Sequence, residues 1–126
     1  MCSSDLEDFV KTTDLNGHET QFYLDGIFEE TGELAGVFKR VRRGDYGDVA
    51  KNMAFEKGID AVLKLFPNVK EDLIKELGDV HWYTTRLIQI LETNWDHVRM
   101  INSNKLKKRK ETNTIMGQGD NREDLK

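Results

Sequence analysis

The chain has one cysteine, one proline and no long apolar run. Cys2 alone excludes an internal disulfide framework and suits a reducing cytoplasm. No stretch is long and apolar enough for a membrane span, and the N-terminus lacks the charged and apolar regions of a signal peptide. A cytoplasmic protein with no membrane partner is expected. A basic excess is also missing: 19 Lys and Arg against 23 Asp and Glu leave a formal net charge of -4. Coating nucleic acid requires the opposite balance, so no nucleic-acid partner is expected. Neither strand alternation nor a solenoid-length repeat is present. What remains is 126 residues, 37% hydrophobic and 33% charged. That is one domain with a modest core, of the kind that often completes itself by oligomerising.

The periodicity is helical nearly throughout. Ser4-Asp5-Leu6-Glu7 reads as a capping box opening a short helix with Leu6, Phe9 and Val10 on one side. Asp14-Leu15-Asn16-Gly17 reads as a turn. A main helix is expected from about residue 18 to 43, ending at Gly44, with Lys39, Arg40, Arg42 and Arg43 complementing its dipole. A third runs from about 48 to 66, with Val49, Met53, Ile59, Val62, Leu63 and Phe66 as its buried residues, Gly58 kinking or dividing it and Pro67 ending it. A second long helix covers about 68 to 92. A last one, from about 95 to 109, makes apolar contacts through Trp95, Val98, Ile101 and Leu106. Residues 1–110 therefore form one helical domain, and 111–126 a polar, glycine-rich tail.

Both long helices carry acids where apolar residues belong. Advancing about 100° per residue, Ile27, Leu34, Val37, Phe38 and Val41 draw an apolar arc. Glu30 falls inside it and Glu33 at its edge. On the second helix Leu73, Leu77, Val80, Tyr83, Leu87 and Leu91 draw the arc, Glu76 falls inside it and Asp79 at the edge. Each pair is three residues apart, one turn above the other on the same face. An acid on a buried stripe is costly unless neutralised, paired or bound to a cation. A single Glu-x-x-Glu is usually a solvated or ion-paired face, but two pairs with matching placement indicate a cation site.

Oxygen ligands without His or Cys select hard cations, Mg2+ or Mn2+ rather than zinc or copper. A carboxylate-bridged di-iron bundle needs Glu-x-x-His on two helices, and His81 is not spaced for that. Magnesium held by few carboxylates keeps positions for water and substrate phosphates, and two or more ions can serve an in-line displacement. Phosphoanhydride chemistry is therefore expected. In the last helix Asn102, Lys105 and Arg109 stand at i, i+3 and i+7 and make a plausible polyphosphate clamp, although a basic run there also suits a solvated helix end. Phe22, Tyr23, Trp82 and Tyr83 are candidates to stack on a base. Tyr83 is preferred because it lies beside Glu76 on the same arc.

The series Glu29-Glu30-x-x-Glu33, then Glu76-Leu-Gly-Asp-Val-His-Trp-Tyr83, then Asn102-x-x-Lys-Leu-x-x-Arg109 resembles the MazG-like, all-α nucleoside triphosphate pyrophosphohydrolases. The likeness runs from about Tyr23 to Arg109, and Gly117-Gln-Gly-Asp-Asn-Arg122 looks like the tail of small, phage-type members, which would act in a host cytoplasm. The resemblance implies an all-α, four-helix-bundle-like fold completed by homo-oligomerisation, as a homodimer or homotetramer. It implies metal-dependent cleavage of a nucleoside triphosphate between the α and β phosphates, giving monophosphate and pyrophosphate. Glu30, Glu33, Glu76 and Asp79 would be metal ligands, Glu29 a further catalytic acid, and Asn102, Lys105 and Arg109 phosphate contacts. A purine such as dGTP is the expected substrate; the alternatives are a dUTP- or dCTP-specific relative and a non-catalytic helical module.

Overall fold

The computed structural model describes residues 3–116, with side chains from residue 5 onward. The described residues form six helices and no strand: α1 (Ser3–Thr12), α2 (Thr20–Arg43), α3 (Asp48–Lys57), α4 (Ile59–Leu65), α5 (Pro67–Ile90) and α6 (Trp95–Glu111). The all-α expectation holds. Cys2, the Ser4 side chain of the expected capping box and the Gly117–Arg122 run lie outside the described residues.

The expected third helix is two. Gly58 has φ of +90°, a conformation that L side chains rarely adopt, so α3 stops there and α4 begins one residue later. Pro67 occupies the first position of α5, where its missing N–H costs nothing. The core gathers Val37 and Val41 of α2, Ala50 and Ala54 of α3, Val62 of α4 and Val69 of α5. Each fully buried valine stabilises the fold by about 1.5–3 kcal/mol.

Several burial expectations need correction. Val49 is 69% exposed, because α3 turns its small residues, Ala50 and Ala54, inward and Met53 packs only from the side. Small side chains allow a close helix approach, which rotates the buried stripe by one residue. Leu77 and Leu91 of the second acidic arc are also exposed. At 1.5 Å per residue, the 24-residue α5 far outreaches the 10 residues of α3 and the 7 of α4. Those short helices meet α5 near Val69 and Leu73. Similarly, Leu6 and Phe9 are exposed on α1, and only Val10 is buried.

Polar contacts fasten the loops to α5. The Tyr46 hydroxyl donates to Asp72 at 2.6 Å. Trp82 Nε1 donates to Thr13 Oγ1 at 2.6 Å, and Arg86 Nε donates to Asp14 Oδ2 at 2.8 Å.

The chain divides into two compact units between Leu87 and Ile88, inside α5. In the second, α6 opens with Asn94, whose side chain accepts the His97 N–H at 2.9 Å, and closes with Lys108, Arg109 and Lys110 in its last turn. Both ends suit the helix dipole. No described helix is long and apolar enough to cross a membrane.

Candidate active site

The acids of α2 and α5 meet in the first unit. One carboxylate oxygen from each of Glu30, Glu76 and Asp79 lies within 4.8 Å of the others. Glu30 and Glu76 are half-buried and Asp79 is exposed, the order that their places on the helical arcs give. Burial pushes the Glu30 carboxyl above its ordinary value, and the charges of Asp79, Glu76, Glu29 and Glu33 push it further. Carboxylates that crowd one half-buried acid in this way form a set of oxygen donors that a cation would relieve. Its donor chemistry fits magnesium or manganese.

Glu33 stands apart from this triad. Its carboxylate lies 3.9 Å from Arg40 Nη1, and the Arg40 guanidinium folds back over Gly36, where an added Cβ would come within 3.1 Å of Nη1. The first acidic pair therefore sends one member to the cluster and the other to a cation on its own helix.

Beside the acids is a pocket of about 340 Å³ lined by Glu30, Asp79, Trp82 and Tyr83. Trp82 and Tyr83 meet edge to face with centroids 5.0 Å apart, and Phe22 tilts against Tyr83 at 6.1 Å. Tyr23 is wholly buried, which removes it from the base-stacking candidates. Burial, followed by the charges of Glu30, Glu29, Asp79 and Asp14, raises the Tyr83 hydroxyl above its ordinary value and keeps it protonated. A larger hollow of about 780 Å³ lies between α4 and α5, lined mainly by aliphatic groups such as Leu63, Pro67, Leu73 and Ile74. It has neither converging acids nor an aromatic wall.

Tyr83 reaches this position because residue 26 has no side chain. A Cβ on Gly26 would lie 2.2 Å from Tyr83 Cδ1. Gly26→Ala therefore sets a helix-propensity gain of about 1 kcal/mol against overpacking that costs typically about 1–3 kcal/mol. A ring atom at that distance must move, so overpacking wins. We expect a lower Tm and altered near-ultraviolet circular dichroism as the Tyr83 ring leaves the acids; an unchanged near-ultraviolet spectrum would show that the ring had not moved.

Residues 18–114 match the family model described as the MazG nucleotide pyrophosphohydrolase domain. The chain belongs to the MazG nucleotide pyrophosphohydrolase family. It is thus a hydrolase of nucleoside triphosphates, as the acidic motifs led us to expect. The chain is also similar to the Gene 37 protein of Mycobacterium phage L5, with 33% identity over 97 residues that cover 77% of this chain and 71% of the relative. No solved structure gives a significant match.

The other expected substrate contacts of the MazG domain lie in its second unit. Asn102 and Lys105 line a pocket of about 460 Å³ with Trp95, Val98, Arg99 and Ile101, while Arg109 is only 6% exposed. Sequence reasoning did not single out Asp14, Arg86 or Gly26. Arg86 carried the one available signal: it follows Tyr83 by three residues and Asp79 by seven, which puts it on the same face of α5. Asp14 read only as part of a turn.

Proposed function

We propose that this MazG protein hydrolyses a nucleoside or deoxynucleoside triphosphate between the α and β phosphates, releasing the monophosphate and pyrophosphate and so shaping a nucleotide pool. The observation that carries this reading is the convergence of Glu30, Glu76 and Asp79 within 4.8 Å next to an aromatic-walled pocket, in a chain of this family. Glu30, Glu76 and Asp79 would hold Mg2+ or Mn2+, with Glu33 joining them on release from Arg40. Two or more such ions, when bound, would neutralise phosphate charge and lower the pKa of a bound water.

The remaining roles fall to the chain's own side chains. Glu29, one residue before the half-buried Glu30, orients the attacking water. Tyr83, with Trp82 beside it, offers an apolar wall to the base, and the elevated pKa of Tyr83 keeps an uncharged phenol facing the acids. Asn102 and Lys105 would offer an amide and a cation to the leaving polyphosphate, and Arg109, buried in this structure, would join them only on rearrangement. The reading takes residues 1–110 as the catalytic domain and 111–126 as a tail, in a cytoplasmic homodimer or homotetramer; the exposed Phe28, Ile74 and Leu77 support assembly between copies. A purine such as dGTP is favoured, with dUTP or dCTP as the alternative.

Incubation with a panel of ribo- and deoxynucleoside triphosphates plus magnesium, with products resolved by phosphorus NMR, tests this. Monophosphate with pyrophosphate from at least one nucleotide is expected. Diphosphate with orthophosphate, or no turnover of any nucleotide, would overturn it.

A further inference from the structure

We infer that Thr13 and Asp14, which precede the stretch matching the family model, are positioning residues that clamp the aromatic wall of the nucleotide pocket; this rests on the function proposed above. The match begins at residue 18, yet the turn before it reaches across to α5 at two points. Thr13 Oγ1 accepts the Trp82 indole N–H at 2.6 Å. Asp14 Oδ2 accepts Arg86 Nε at 2.8 Å and also the hydroxyl proton of the buried Tyr23. Tyr23 in turn accepts the His18 backbone N–H at 3.1 Å, and the Arg86 guanidinium lies over its ring, 5.4 Å from the centroid.

The Asp14 and Arg86 side chains are only 5% and 11% exposed. A buried ion pair carries a large desolvation penalty and is weak evidence for stability. What this one does is fix geometry: its partners are 72 residues apart in sequence, and Arg86 sits one turn beyond Trp82 and Tyr83 on α5. Trp82 is therefore held from both sides, by Thr13 through its indole and by Tyr83 through edge-to-face contact. Trp82 and Tyr83 line the same pocket as Glu30 and Asp79. Neither Thr13 nor Asp14 lines that pocket, so they act through the wall.

The test uses the full chain carrying Trp95→Phe, which leaves Trp82 as the single tryptophan of the two. Asp14→Asn and Thr13→Val should each raise KM for the nucleotide by about tenfold or more, the equivalent of about 1.4 kcal/mol of binding, with kcat changed much less and manganese affinity unaltered. Both should increase acrylamide quenching of Trp82, whereas Thr13→Ser, which keeps the hydroxyl, should restore both readouts. Unchanged KM and unchanged quenching in Asp14→Asn and Thr13→Val would overturn the inference, as would a fall in Tm with neither readout moved. The quenching arm needs no turnover, so a protein inactive on every nucleotide would sink the proposed function while still testing the clamp.

Discussion

Glu30→Gln is expected to lower turnover by about a thousandfold while raising the melting temperature of the metal-free protein. The loss follows from removing a half-buried charge from the triad proposed to hold the cation, since metal stabilisation of developing charge is worth several kcal/mol and each 1.36 kcal/mol is about tenfold in rate. The gain follows from the same crowding. Glu30 is pushed above its ordinary value of 4.5 by burial and by the neighbouring acids, so its ionised form works against the fold until a cation arrives. A raised folded-state pKa contributes stability below the unfolded value that is lost as pH rises through the folded value. The advantage of Gln over Glu should therefore appear at neutral pH, on the order of a few degrees, and vanish below about pH 4. Thermal melts in chelator at both pH values, beside a turnover assay, check this. A variant melting lower than wild type at neutral pH would contradict the electrostatic account.

Asp79→Asn and Glu33→Gln are each expected to abolish turnover with helicity intact, but they should part company without metal. Asp79 contributes directly to the charge pressing on Glu30 and belongs to the triad, so its neutralisation relieves repulsion and should raise Tm. Glu33 presses on Glu30 least of the four acids and faces Arg40 at 3.9 Å, with the two side chains 53% and 31% exposed. An exposed pair of this kind is worth about 0–1 kcal/mol, so Glu33→Gln should leave Tm unchanged or slightly lower. Circular dichroism melts and product analysis on both variants decide it. Near-normal turnover in either would remove that residue from the ligand set.

The site was legible in sequence to the extent that helical phase carries information. Glu30 and Glu76 lie inside their arcs and are half-buried, whereas Glu33 and Asp79 lie at the edges and are exposed. Phase does not carry rotamers: nothing local shows that Glu33 turns toward Arg40, because that depends on the lane left by Gly36. Nor does phase say how far a neighbouring helix extends, which is why Leu77 was expected inside. Val49 was misplaced because a two-alanine face was outweighed by one large apolar side chain. The Asp14–Arg86 pair joins residues 72 positions apart, and no local pattern encodes such a partnership. Gly26 is explained only by the ring of Tyr83, 57 residues away, resting against it.

The most direct measurement is a calorimetric titration of Mn2+ into metal-free wild-type protein and into Asp79→Asn. The proposed binding of a cation by Glu30, Glu76 and Asp79, whose oxygens lie within 4.8 Å of one another, predicts a saturable site in the wild type that is lost in the variant. Absence of saturable heat in the wild type, or an undiminished site in Asp79→Asn, would contradict it.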